Sequence, residues 1–148
     1  KAEDFRRNHP GGSLGERLKI SVSEVMLTGT EMPCVGEQAS LQEALATLHE
    51  KNLGAVMVTG TGGRLIGILT DGDIRRIVIG GTMADLQLAD VMTRGPVSIS
   101  CNLLAADALS LMQEHEITIL AVVGKKKELL GMLHLHDLLG KGEFRFLI

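Results

Sequence analysis

An internal repeat limits the possible folds of this chain more than any other feature. Residues 67–74 read GILTDGDI, and residues 131–138, 64 positions later, read GMLHLHDL. Both stretches have a glycine, an aliphatic strand end, a polar side chain and, three residues further on, an aspartate that enters a helical pattern. A strand that feeds such a turn is a place where phosphate or ribose groups can be held. The sequence therefore predicts the same strand-to-helix turn twice.

The repeat extends well beyond these octets. Residues 44–45 recur as 108–109 with the same Ala-Leu pair, and the Val-Met pair at 25–26 recurs at 91–92, 66 positions later. Two units of roughly 60 residues account for almost the whole chain, too few for a solenoid array. Each unit is too small to be very stable alone. The sequence therefore predicts two units that pack face to face.

Composition excludes several classes of protein. A formal net charge of -3 gives no electrostatic footprint for nucleic acid or an anionic membrane. The three phenylalanines lie at the chain ends, so residues 6–143 hold no aromatic platform for stacking bases. The longest aliphatic run, around residues 119–123, is too short to span a membrane, and no signal peptide is recognisable. We therefore expect a cytoplasmic protein. Because the chain starts at Lys1 without methionine, we also expect it to be a piece of a longer protein.

Local signals predict the elements of the first unit. Ser40 and Glu43 have the spacing of a capping box, followed by apolar residues at helical intervals, so we expect a helix over residues 41–51. A glycine-rich turn at residues 60–63 separates two aliphatic runs, which predicts a hairpin. A second helix starts near Thr70 and stops at the glycines of residues 80–81.

The second unit repeats this order. We expect a helix over residues 103–115, strands over 117–123 and 129–133, and a short helix from Asp137. Short leading strands at residues 33–35 and 96–100 complete the units. The predicted fold class is α/β (α+β), with two β-α-β-β-α repeats packed as a pseudo-twofold pair. Cys34 and Cys101 occupy different places in the two repeats and are read as ordinary half-buried thiols.

The tandem units, their Val-Met pairs and the two repeated turns resemble a CBS domain pair, also called a Bateman module, over about residues 20–140. Such pairs typically bind adenosine or other nucleotides in clefts between the repeats and regulate an attached domain. The resemblance implies that Thr70 contacts phosphate or ribose, that Asp73 holds ribose hydroxyls, and that Asp137 takes the ribose role in a second site. His134 stands there where the family pattern has Ser or Thr.

A second, more specific resemblance covers most of the chain. Residues 2–5 (AEDF), 9–15 (HPGGSLG), 70–76 (TDGDIRR) and 134–139 (HLHDLL) are similar to the C-terminal half of D-arabinose 5-phosphate isomerases. In those enzymes a sugar isomerase (SIS) domain precedes a CBS pair. The resemblance implies that the SIS domain is missing here except for its last segment, and that His9 is an acid or base of the isomerase site only in the full-length enzyme.

The resemblance also suggests how the chain is divided. We assign residues 1–20 to a linker and the end of the SIS domain, 21–82 to CBS repeat 1, 83–140 to CBS repeat 2, and 141–148 to a C-terminal tail.

Several residues have competing interpretations. Thr70 would serve equally as a helix N-cap, and Asp73 as an acid stabilised by the helix dipole, although the recurrence at Asp137 favours ribose binding. Asp73 and Asp137 are both expected at helix starts in a cleft rather than in the core. His134 and His136 suggest a metal, but no third ligand at zinc-like spacing is visible, so we predict none. Arg75 either contacts an anionic ligand or coats a solvated helix face.

The functional expectation is a regulatory nucleotide-binding CBS pair of an arabinose 5-phosphate isomerase. The parent enzyme would interconvert ribulose 5-phosphate and arabinose 5-phosphate on the route to Kdo and lipopolysaccharide. The expected effector is CMP-Kdo, or an adenine nucleotide, and no cofactor is required. The fragment itself is expected to be inactive as an isomerase. The alternative is a purely structural module without ligand, and in either case we expect a homodimer here and a homo-oligomer in the full enzyme.

Overall fold

A computed structural model describes residues 13–81 and 85–139. The first half contains helices α1 (Leu14–Arg17) and α2 (Val22–Val25), strand β1 (Cys34–Gly36), helix α3 (Leu41–Lys51), strands β2 (Ala55–Thr59) and β3 (Leu65–Thr70), and helix α4 (Asp71–Gly80). The second half contains helix α5 (Leu88–Val91), strands β4 (Thr93–Arg94) and β5 (Ser98–Ser100), helix α6 (Ala105–His115), strands β6 (Ile119–Val123) and β7 (Leu129–His134), and helix α7 (Leu135–Leu139). The predicted C-terminal tail over 141–148 lies outside the described residues, and so do His9 and the rest of residues 1–12 of the predicted segment 1–20.

Capping residues set the ends of the longer helices. Ser40 Oγ accepts a hydrogen bond from the Glu43 amide at 3.0 Å and starts α3, as the sequence predicts. Asn52 ends the same helix in the left-handed conformation, with φ of 53°. Gly81 ends α4 in the same way, with φ of 92°. The predicted helix over residues 41–51 is confirmed at both ends.

The strands form two sheets. In the first, the order is β1-β2-β3-β4, with β1 parallel to β2 and the other neighbours antiparallel. In the second, the order is β5-β6-β7, with β5 parallel to β6 and β6 antiparallel to β7. Helix α3 follows β1 and α6 follows β5, so each unit has the β-α-β-β-α order. The predicted fold class is confirmed.

Five boundaries of the second unit differ from the sequence prediction. Strand β5 begins at Ser98 rather than at residue 96, and β7 ends at His134 rather than at residue 133. Helix α6 begins at Ala105 rather than at residue 103, and β6 begins at Ile119 rather than at residue 117. Helix α7 begins at Leu135, two residues before the predicted start. Its first amide donates to the Thr118 carbonyl at 2.8 Å, so the chain turns into the helix as soon as β7 ends.

The segment that opens each unit packs on the other unit, which the sequence analysis did not predict. Val22 and Val25 of α2 lie in the core of the second unit. Leu88, Val91 and Met92, on and directly after α5, lie in the core of the first unit. Strand β4 extends the first sheet beside β3, and residue 27 makes the equivalent bridge to residue 132 of the second sheet. The two units are therefore joined by exchanged segments.

A third apolar cluster lies between the sheets. Met57, Ala121 and Met132 are at most 1% exposed there, and half-buried apolar side chains of both units surround them. This cluster buries one face of each sheet against the other, so the units pack face to face as predicted. Cys34 lies at its edge as a half-buried free thiol, and burial raises its pKa more than a hydrogen bond with Thr59 lowers it.

Candidate ligand-binding cleft

The turn from β3 to α4 is closed by a capping box. Thr70 Oγ1 accepts a hydrogen bond from the Asp73 amide at 3.2 Å, and the Thr70 amide donates to Asp73 Oδ2 at 2.9 Å. The Thr70 hydroxyl also lies 3.0 Å from Asp73 Oδ2, to which it donates. Thr70 is therefore the N-cap that the sequence offered as one of its two readings.

Asp73 is buried, contrary to the expectation that it lies in a cleft rather than in the core. Its side chain is 2% exposed. Oδ1 accepts hydrogen bonds from Thr93 Oγ1 at 3.0 Å and from Arg76, while Oδ2 accepts from the amide and hydroxyl of Thr70. The burial has a physical reason, because a carboxylate can leave water only when its oxygens keep such partners. These bonds join α4 to the exchanged segment at β4.

The turn from β7 to α7 has the same backbone bond but a different cap. The His134 amide donates to Asp137 Oδ2 at 2.9 Å, as Thr70 does to Asp73. His134 Nδ1 accepts from the His136 amide at 3.1 Å. The His134 ring thus caps the amide two residues further on, whereas Thr70 caps the amide three residues further on. An acceptor Nδ1 leaves the proton of the neutral ring on Nε2.

His134 resists protonation. Burial of the half-exposed ring lowers its pKa below the ordinary value of 6.5, and the neighbouring His136, whose ring centroid lies 4.4 Å away, lowers it further. The ring is therefore neutral at pH 7 and offers an Nε2–H donor.

This shift predicts a pH dependence of stability. The folded pKa of His134 lies below the unfolded value, so the free energy of unfolding is constant above about pH 6.5 for this group and falls as the pH drops toward the folded pKa. We expect His134→Gln to flatten part of this fall, measured by urea denaturation from pH 7.5 to 5. His49→Gln, at an exposed helix end, is the matched control. An unchanged profile in His134→Gln would contradict the assignment.

A cleft of about 460 Å³ opens beside the Thr70 turn, with walls from both units. Five of the lining residues come from the first half of the chain, and eight come after α5. These residues are Gly54, Ile68, Thr70, Asp71, Gly72, Thr93, Gly95, Pro96, Val97, Glu116, Ile117, Thr118 and Ile119. The cleft thus combines aliphatic surface, three hydroxyls and two carboxylates.

Gly54 lies between the two walls. It has φ of 84°, where glycine is favoured. A Cβ at this position would lie 3.5 Å from Asp71 Oδ2 and 3.9 Å from Ile119 Cδ1, so a carboxylate of one unit and an aliphatic side chain of the other approach the same point. The Asp71 amide also donates to the Gly54 carbonyl at 3.2 Å.

The residues predicted for nucleotide binding do not all share this cleft. Thr70 lines it, and Asp73 lies behind Thr70 without lining it. Arg75 is exposed on α4 away from the lining, and His134 and Asp137 form the equivalent turn of the second unit. Within residues 13–81 and 85–139, no group of three His, Cys, Asp or Glu side chains could hold a metal ion.

Sequence patterns did not indicate two charged cleft residues, Asp71 and Glu116, or two hydroxyls, those of Thr93 and Thr118. Asp71 immediately follows Thr70, while Glu116 and Thr118 come from the opposite unit. The 64-residue offset between the repeats could have indicated Glu116 and Thr118. It pairs positions 116 and 118 with 52 and 54, which lie next to the predicted first-unit strand. Which unit supplies the opposite wall follows only from the packing.

Comparisons with known proteins agree with this architecture. The family model of the CBS domain matches residues 22–80 and 88–142. The chain is 45% identical over 141 residues to the arabinose 5-phosphate isomerase KdsD of Yersinia pestis, a match that covers 95% of this chain and 43% of the relative. The chain thus spans less than half the length of this relative.

Two solved structures share the fold. The CBS domain protein PAE2072 from Pyrobaculum aerophilum, complexed with AMP, has a TM-score of 0.72 and 24% identity, and the match covers 82% of this chain and 92% of that one. CBSX2 from Arabidopsis thaliana, in complex with AMP, has a TM-score of 0.71 and 24% identity, covering 80% and 92%. In the described part of the chain, each helix is too short or too polar to cross a bilayer.

Proposed function

The chain belongs to the CBS domain family, and from this premise we propose that it is the regulatory nucleotide-binding CBS pair of an arabinose 5-phosphate isomerase. In this proposal the longer protein interconverts ribulose 5-phosphate and arabinose 5-phosphate on the route to Kdo and lipopolysaccharide. An SIS domain of the same polypeptide carries out that reaction with His9. The CBS pair senses a nucleotide and acts on the SIS domain.

The observation that carries this proposal is the cleft at the Thr70 turn. Its volume of about 460 Å³ lies in the range of small-molecule sites. Aliphatic side chains on both walls, including Ile68 and Ile119, can sandwich a flat base in a cleft whose described lining has no aromatic ring. The hydroxyls of Thr70, Thr93 and Thr118 supply polar partners for a ribose.

The fold itself also supports a nucleotide. PAE2072 and CBSX2 were both determined with AMP, so a CBS pair of this shape can hold a nucleoside monophosphate. Both are only 24% identical to this chain, and the support extends to the class of ligand rather than to its base.

We assign different roles to the two residues of the capping box. Thr70 lines the cleft and contacts the ligand. Asp73 positions the Thr70 hydroxyl, and it binds ribose hydroxyls directly only after exchanging a present partner such as Thr93. At the second turn, Asp137 takes the ribose role, and the neutral His134 donates a hydrogen bond from Nε2. CMP-Kdo, as the activated end product, would place its carboxylate at His134 or Arg75.

Calorimetric titration with AMP, ATP, CMP and CMP-Kdo tests the proposal. We expect at least one of the four to bind, and Thr118→Trp to weaken binding in the cleft about tenfold or more, because an indole fills space that the ligand needs. Thr61→Trp, at the exposed tip of the first hairpin, is the matched control and should leave the affinity unchanged.

Absence of binding by all four nucleotides would favour the alternative function, a structural dimerisation module. One observation supports that alternative. Val78 and Ile79 near the end of α4 are 62% and 79% exposed, an apolar surface that a second copy would cover. Light scattering at tens of micromolar, on the order of usual assay concentrations, measures whether the chain is a dimer.

A further inference from the structure

Both charged side chains that line the cleft are negative. Asp71 contributes a carboxylate from the start of α4, and Glu116 contributes another from the opposite unit, directly after α6. Among the described residues, the lining includes no lysine, arginine or histidine to balance these two charges. Any ligand in the cleft therefore meets a negative wall on each side.

The helix dipole offsets only part of this charge. The N-terminus of α4 faces the cleft and carries about half a positive elementary charge, whereas the two carboxylates carry two negative charges. Both carboxylates are exposed where the cleft opens, so salt in the solvent screens part of their field. Asp71 Oδ2 lies close to Gly54 between the two walls, so its charge is near the space that a ligand would occupy.

Glu116 occupies a backbone position that favours other residues. It has φ of 56° and ψ of 44° at the C-cap of α6, in the left-handed region where glycine and asparagine are preferred. Its counterpart at the end of α3, 64 positions earlier, is Asn52 with φ of 53°. The counterpart of Asp71 is Leu135. The fold thus accepts uncharged residues at both equivalent positions, and neither acid is required to close a turn.

We propose that Asp71 and Glu116 are specificity residues, which make this cleft select nucleosides with an uncharged or cationic 5′ substituent over nucleoside 5′-phosphates. This inference rests on the proposed nucleotide-binding function and narrows the ligand class of one cleft. A nucleoside 5′-phosphate can still bind in this cleft, as the proposed function requires, but more weakly than its nucleoside.

Calorimetry with adenosine, AMP, cytidine and CMP at low ionic strength tests the selection. We expect the parent chain to bind the better nucleoside about tenfold more tightly than its 5′-phosphate. The double variant Asp71→Asn/Glu116→Gln should reduce this preference to about twofold or less, mainly by tightening the phosphate ligand, since the repulsion is gone. Salt should shrink the preference in the parent because it screens the same repulsion.

Glu43→Gln/Glu114→Gln is the matched control, since it makes the same change in net charge at exposed sites outside the lining. It should keep the parent's preference. A parent that binds AMP or CMP as tightly as its nucleoside overturns the inference, and so does a preference that persists in the double variant of the cleft. In the first case the proposed function stands, because a nucleotide binds the parent. In the second case it is decided by whether any nucleotide binds the parent. If none of the four probes binds the parent or either variant, this inference fails, and the proposed function is decided separately by the titrations with ATP and CMP-Kdo.

Discussion

Replacing Asp73 by alanine is expected to lower the free energy of unfolding by about 2–3 kcal/mol, because a buried capping residue and its hydrogen bonds are lost together. The carboxylate is 2% exposed and accepts hydrogen bonds from Thr70, Arg76 and Thr93. Alanine leaves the Thr70 amide and the Thr93 hydroxyl without this acceptor. Urea denaturation followed by circular dichroism measures the difference.

Asp137→Ala is the matched variant in the second unit. Asp137 is half-buried, whereas Asp73 is 2% exposed, and Asp137 accepts a hydrogen bond from the His134 amide. We expect a loss of about 1 kcal/mol, the usual value for a cap. Equal losses in both variants, or a loss below about 0.5 kcal/mol for Asp73→Ala, would contradict the structural role given to Asp73.

Asp73→Ala can weaken nucleotide binding either by removing a carboxylate that binds ribose or by displacing the Thr70 hydroxyl. These two effects can be separated. Nucleotide affinity is measured for the folded Asp73→Ala variant in the absence of urea. A loss of affinity that accompanies a displacement of Thr70 indicates that Asp73 acts through the Thr70 hydroxyl. Thr70→Val is the informative comparison, since it removes the hydroxyl and keeps the shape of the side chain. Equal losses of affinity in both single variants and in the double variant would mean that the two residues act as one unit.

Local features of this fold are predictable because they depend on neighbours in sequence. Helix α3 follows from Ser40 and the apolar spacing after it, and the hairpin between β2 and β3 follows from its glycine-rich turn. The exchange of the opening segments is not predictable in this way. Val25 and Val91 have the same local pattern whether they pack on their own unit or on the other one.

The same distinction applies to the cleft. The Thr70 turn carries its own sequence signature, and the structure puts Thr70 in the lining. Glu116 becomes a cleft residue only because the second unit docks with the end of α6 opposite α4. The burial of Asp73 likewise depends on Thr93, 20 residues away on the exchanged segment. Contacts between units therefore decide which of the motif's polar groups remain available to a ligand.

Gly131→Ala is expected to destabilise the protein by about 2–3 kcal/mol through overpacking. A Cβ at Gly131 would lie 2.8 Å from the Leu27 carbonyl oxygen and 2.6 Å from Met26 Sδ, both on the exchanged segment. The methionine side chain can move, but the Leu27 backbone is held by reciprocal hydrogen bonds with Met132 at 2.8 and 3.0 Å. The glycine at this position therefore allows the exchanged segment to lie against the sheet. Thermal or urea unfolding measures the loss of stability in Gly131→Ala.

Gly67→Ala makes the same change in the first unit, where the Cβ would lie 3.1 Å from the Thr93 carbonyl oxygen and 2.8 Å from Met92 Sδ. The backbone contact is longer, so we expect a smaller loss of about 1–2 kcal/mol. Gly36→Ala, with no atom within 4 Å of the new Cβ, is the neutral control. Met26→Ala in the Gly131→Ala background relieves the sulfur contact and leaves the carbonyl contact. Full recovery of the loss that the glycine change causes would therefore show that the flexible side chain, and not the exchanged backbone, requires the glycine.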